Sequence, residues 1–142
     1  MTLNPSTHPI QTAARWLLGA ALLAAGTGHL TFAQHEFRAQ VPDALTNGPL
    51  YLDEDFIVLA SGAAELGLGA ALIGLPRQRR TVGLAAAGFF VAVFPGNISQ
   101  YLTHTDAFGL NSDRARLIRL AFQPALVAWA LWSTGVWPRA RR

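Results

Sequence analysis

Six polar side chains lie in stretches that are otherwise almost wholly apolar: His29, Glu65, Asn97, Gln100, Arg119 and Gln123. A carboxylate, an imidazole, a guanidinium and three amides that converge can hold a proton, hydrogen-bond the polar head of a small molecule, or bond one another. They compose no autonomous catalytic motif. His29 and Glu65 together supply too few ligands for a defined metal site. Cysteine is absent, which removes disulfides, thiolate metal sites, iron-sulfur ligation and thiol redox chemistry from what this chain does alone. These residues therefore read as a ligand-binding set without a catalytic residue among them.

The elements that carry them are greasy. Only 13% of the 142 residues are charged and 51% are apolar, against about a quarter charged in ordinary soluble domains. Four apolar runs stand out, at 14–33, 56–75, 81–100 and 115–137. Each has about 20 residues, and at about 1.5 Å rise per residue such a helix spans a hydrocarbon core of roughly 30 Å. Polar residues in each run are few and clustered, so no run has the broad polar face of a helix that meets water. A cleaved signal peptide over the first run is disfavoured by its weakly basic start and long apolar core. The expectation is one all-α domain over 1–142, a membrane four-helix up-down-up-down bundle.

Arginine placement gives the orientation. Arg15, the hairpin residues Arg77, Arg79 and Arg80, and the tail residues Arg139, Arg141 and Arg142 fall on one side if the segments alternate. That side is expected to be cytoplasmic, with both termini there. The pI near 10.6 is then an inner-surface anchor, and no nucleic-acid surface is expected, because aromatics do not interleave with the arginines. Trp16, Trp132 and Trp137 fit the inner boundary, and Tyr51 and Tyr101 the outer one. Trp129 lies deeper and needs packing or a partner.

With that topology His29, Asn97, Gln100 and Arg119 fall in the outer leaflet, with Glu65 and Gln123 nearer the midplane. A carboxylate at such depth costs at least about 2.5 kcal/mol on insertion scales, so Glu65 must be protonated, paired with a cation such as Arg119, or reached by water. Arg119 and Gln123 are i and i+4 on one face. Gly19, Gly26 and His29 share a face of the first helix, and Gly62, Glu65 and Gly69 one of the second. Small residues permit close helix contact in lipid, which would bring His29 and Glu65 to a common seam. In "FFVAVFPGNISQYLTH", residues 89–104, Pro95 removes a backbone donor and Gly96 permits a bend, so carbonyls near Val91 need replacement donors. Asn97 and Gln100 are placed to supply them. Pro124 beside Gln123 is expected to act likewise on the fourth helix. Isolated amides in membrane helices are also commonly interhelical glue, and both readings stand for Asn97, Gln100 and Gln123.

Four pieces in register carry a family resemblance. "GTGHLTFAQHEFRAQVPDAL" resembles the Gly-x-x-His-Phe and Phe-x-x-x-Val-Pro-x-x-Leu pattern of DoxX-like membrane proteins, and "SGAAELGLGAALI" their Ser-Gly-x-x-Glu-x-x-Leu-Gly helix. "AVFPGNISQYL" is similar to their Phe-Pro-x-Asn-Ile segment and "LIRLAFQPALVAWALW" to their last helix. The match departs at Leu30, where an aromatic is common, and at Ala44 to Thr46, where a second proline is missing. The resemblance implies a small integral protein of a bacterial cytoplasmic membrane, tied to quinone-linked redox complexes or to the assembly of other membrane proteins. On that basis the cluster would bind a quinone or similar lipid-like molecule for a membrane redox partner. His29, Asn97 and Arg119 would hold its head and Glu65 would exchange a proton. The alternative is a non-enzymatic assembly factor in which the cluster only holds the bundle together. A haem ligated by His29 and His104 is disfavoured, because His104 falls in a loop.

Overall fold

A computed structural model describes residues 8–31, 41, 42, 46, 52–102 and 112–137. Among them are four long helices and no strand: α1 (Pro9–Leu30), α2 (Glu54–Gly74), α3 (Arg79–Leu102) and α4 (Asp113–Ser133), with a short 3-10 turn at Pro76–Gln78 between α2 and α3. Residues 32–40 of the motif stretch, Tyr51, His104 and the arginine tail lie outside the described residues.

Local chemistry sets the ends. Pro9 opens α1, where its missing N–H costs nothing, and the His8 N–H donates to Gln11 Oε1 at 3.1 Å. The helix therefore begins five residues before the apolar run. Asp53 caps α2 by accepting from the Asp55 and Phe56 N–H groups at 2.8 and 3.2 Å, and the Ser112 hydroxyl caps α4 through Ala115 N–H at 3.2 Å. The last helix stops at Ser133, four residues before the apolar run ends, because Gly135 takes a left-handed turn at φ 75°, a conformation open to glycine at no steric cost. Both α3 and α4 continue through their prolines, Pro95 and Pro124.

The contacts fix the topology. Gly19 meets Gly69 and Gly26 meets Gly62, so residue numbers rise along α1 as they fall along α2. Phe90 pairs with Gln123 and Gly83 with Thr134 across α3 and α4. Gln11 Nε2 donates to Trp132 O at 2.9 Å, and Trp129 Nε1 to Ala14 O at 2.9 Å, across α1 and α4. Each pair is antiparallel, giving an up-down-up-down bundle in which α1 lies mainly on α2 and α3 mainly on α4.

Glycine explains the α1–α2 contact. A Cβ on Gly69 would stand 2.7 Å from Gly19 O, and one on Gly26 would stand 2.8 Å from Gly62 O. Backbone meets backbone, and nothing larger than hydrogen fits between.

The interior is layered. Leu18, Leu22, Leu72, Val82, Ala86, Phe90 and Ala130 form an apolar core toward the α2–α3 hairpin. Polar groups are buried beyond each end of it: Arg15, Arg79, Ser133 and Thr134 on the hairpin side, and His29, Glu65, Arg116 and Gln123 on the other. The exterior is oily, with Leu17, Phe56, Leu84, Val91, Ile118 and Phe122 all more than half exposed. One helix among the described residues, over Asp55–Gly74, is long and apolar enough to cross a membrane by length and composition, at mean hydropathy 1.9. Arginines, amides and small residues dilute α1, α3 and α4.

Candidate functional site

The polar layer at the far end from the hairpin is assembled by side-chain direction. A helical Cβ leans toward its own N-terminus. On antiparallel helices His29 therefore leans down α1 while Glu65 leans the opposite way along α2, and the two meet between the levels of their Cα atoms. Nδ1 of His29 stands 2.6 Å from Oε2 of Glu65. Gly62 makes room, since a Cβ there would come within 2.6 Å of the His29 Cβ. His29 is 7% exposed and Glu65 8%.

The contact is short but poorly aligned, and Oε2 has no well-formed hydrogen bond. His29 Nδ1 also lies 3.1 Å from Ala25 O. The imidazole and the carboxyl thus face one another inside the bundle, both largely shielded from its surroundings.

Arg119 joins from α4. The register that sets Gly69 beside Gly19 and Trp129 beside Ala14 brings Glu65 and Arg119 to one level of the bundle, and the Glu65 carboxylate attracts the half-buried guanidinium electrostatically. Gln123, one turn along, donates from Nε2 to Phe90 O at 3.3 Å. That carbonyl belongs to the residue before Val91, whose own carbonyl Pro95 leaves without its helical donor. Asn97 and Gln100 belong to the last two turns of α3; their side chains lie outside the described part.

Three arginines that sequence position marks only as flanking charges are buried: Arg15, Arg79 and Arg116. Arg116 reads as a loop-flanking charge, yet it is 5% exposed. Its spacing to Arg119 and Gln123, i, i+3 and i+7, is the signal that places all three on one stripe. Arg15 reads as an interfacial anchor, yet it is 3% exposed, with Nη1 donating to Leu72 O. Trp129 finds its partner in Ala14 O.

A cavity of about 470 Å³ opens at the hairpin end, lined by Ala14, Ala125, Ala128, Trp129, Trp132 and Trp137. It is apolar and lies across the core from the His29–Glu65 layer.

No curated protein and no solved structure matches the chain. A family model described as a domain of unknown function, DUF8561, matches residues 18–134, from the buried face of α1 to the turn after α4. That span holds α2, α3 and α4 whole and α1 from Leu18 onward, with Arg15 just before it, and the chain belongs to the DUF8561 family.

Proposed function

We propose that this is a small integral protein of a bacterial cytoplasmic membrane, crossing it four times with both termini cytoplasmic, and that its outer-leaflet polar layer binds a quinone or similar lipid-like molecule for a membrane redox partner. The observation that carries the reading is the His29–Glu65 contact at 2.6 Å with Arg119 beside it, held inside a bundle whose exterior is apolar. Proton-holding groups are expensive to keep away from water, and in a membrane helix such groups mark functional sites by default. Quinone chemistry couples electrons to protons, so a head-group site needs both hydrogen-bond donors and a proton acceptor. Arg119 and Gln123 supply donors, and the His29–Glu65 pair can take up or release the proton. The DoxX-like resemblance points to the same ligand class. The apolar core below the layer would stop protons from passing to the other side.

The test is quinone titration of gently extracted protein, followed by tryptophan fluorescence or thermal shift. Wild type is expected to bind; Glu65→Gln and His29→Ala are expected to fold and lose binding. Undiminished binding in both variants would sink the proposal.

A second reading has its own support. Gln11, Arg15, Gln123 and Trp129 all donate to backbone carbonyls of other helices, which is how interhelical glue works. On that reading the protein is a non-enzymatic assembly or interaction factor. It would co-purify with a larger membrane protein, and polar-layer variants would unfold without any ligand being lost.

A further inference from the structure

The groove on the flank between α1 and α4 plays no part in the proposal above. Ala14 stands on α1 and Ala125 and Ala128 on α4, and their short side chains leave a hollow of about 470 Å³ that Trp129, Trp132 and Trp137 wall. The Trp129 indole holds the two helices at that spacing, with Nε1 donating to Ala14 O at 2.9 Å. One turn nearer the end of the bundle, Gln11 Nε2 ties the same helices through Trp132 O at 2.9 Å. The groove opens outward: Ala125 and Ala128 are exposed, and Trp137 is 59% exposed.

The lining is suited to hydrocarbon. Three methyl groups and three indoles present carbon, their only polar side-chain groups are the indole N–H donors, and that of Trp129 is already used on Ala14 O. The volume falls in the range of small-molecule sites, about 300–1,000 Å³, yet the lining residues offer few of the polar anchors that orient a compact ligand. Along α4 the hollow runs from Ala125 to Trp132, about 10 Å at 1.5 Å per residue. An extended apolar chain matches that shape.

Charge decides between amphiphiles. Tryptophan faces can hold a quaternary ammonium by cation–π attraction, but the end of the bundle that carries this groove is basic. Arg77 and Arg80 are exposed on the α2–α3 hairpin, and Arg139 follows Trp137 by two residues, with Arg141 and Arg142 beyond it. All eight acidic residues lie at positions 36, 43, 53–55, 65, 106 and 113, so none falls in 1–35, 66–105 or 114–142. A cationic head at the Trp137 end is repelled and an anionic one attracted over about 8–10 Å at physiological salt.

We propose that the α1–α4 groove seats one acyl chain of an anionic phospholipid, with its tail toward Ala125 and its head group drawn to the basic end beyond Trp137. The choice of a phospholipid rests on the membrane reading. It is independent of the quinone reading, whose polar layer lies across the apolar core from this groove.

The full chain in mild detergent is titrated separately with phosphatidylglycerol and with phosphatidylcholine of the same acyl chains, and native mass spectrometry counts the lipids retained. One phosphatidylglycerol per chain is expected, held at least about tenfold more tightly than phosphatidylcholine, because each arginine near the surface adds attraction for an anionic head. Ala125→Phe and Ala128→Phe fill the groove and are each expected to weaken phosphatidylglycerol binding by at least about tenfold, while Ala85→Phe, at an exposed position of α3, leaves it unchanged. Arg139→Gln, Arg141→Gln and Arg142→Gln combined are expected to reduce the preference over phosphatidylcholine. Equal loss in Ala128→Phe and Ala85→Phe overturns the proposal, as does equal retention of the two lipids by wild type. Dimers that Ala125→Phe dissociates, with no lipid retained, would give the groove to a second copy and overturn it too. An alkaline wash of membranes separates the failures: a chain that the wash releases overturns the membrane reading and this lipid with it, whereas a chain that stays but retains no phosphatidylglycerol overturns the groove proposal alone.

Discussion

His29 and Glu65 meet across an α1–α2 contact so close that Gly62 lies against the His29 Cβ. The glycine and the contact are one construction: a Cβ at position 62 would stand 2.6 Å from the His29 Cβ and displace the imidazole.

That coupling is measurable. A double-mutant cycle with His29→Ala and Glu65→Ala, by reversible unfolding in mixed micelles, is expected to give an interaction above about 1 kcal/mol, against an average of about 0.6 for ordinary polar contacts between membrane helices. Additive single effects would show that the contact does no more than fill space.

Glycines on α2 should separate by face. Gly69→Ala forces a methyl against the Gly19 carbonyl and is expected to cost about 1–3 kcal/mol by overpacking. Gly67→Ala meets nothing within 4 Å and should be neutral or gain up to about 1 kcal/mol in helix propensity. The same unfolding assay reads both. Equal effects would mean that α1 and α2 do not pack through this stripe.

Gln123 supports the wall of α3 beside Pro95. Gln123→Leu removes the donor to Phe90 O and is expected to destabilise by about 0.5–1.5 kcal/mol, the usual net worth of a hydrogen bond. On the proposed quinone reading, affinity should fall further in this variant than in Trp129→Phe, which loses a hydrogen bond of similar kind at the opposite end of the bundle. A ligand titration of the two variants decides it; equal losses would point to general loosening.

The proposed membrane orientation can be tested by cysteine labelling, because the native chain has no cysteine. Arg77→Cys at the α2–α3 hairpin is expected to react with a membrane-impermeant maleimide only after cells are opened. Ser112→Cys, at the start of α4, should react in intact cells. The reverse pattern would invert the topology, and labelling of both in intact cells would remove the membrane reading.

Much of this was legible in the sequence. Apolar runs located all four helices, because helix length and hydropathy survive any packing arrangement. Glycine spacing marked the α1–α2 seam, since only glycine allows backbone contact there. Burial of Arg15 and Arg116 was not legible: a charged residue at the end of an apolar run looks the same whether it points to solvent or turns inward, and only the neighbouring helix decides. Helix ends differ from the ends of the apolar runs at Pro9 and Gly135, where backbone chemistry and not hydropathy sets them. For the carbonyl that Pro95 leaves open the sequence offers Asn97 and Gln100 on the same helix, whose side chains lie outside the described part; the bond from Gln123 to Phe90 O depends on the register of α3 against α4, which neither helix encodes alone.

The bonds from Gln11 to Trp132 and from Trp129 to Ala14 join the first helix to the last. A nascent chain leaving the ribosome can form its α1–α2 pair early, yet these two latches cannot close until the final helix has been synthesised. Maturation must therefore end with a docking step, and a chain truncated before Trp129 would leave its opening helix with one flank unguarded for quality-control proteases to find.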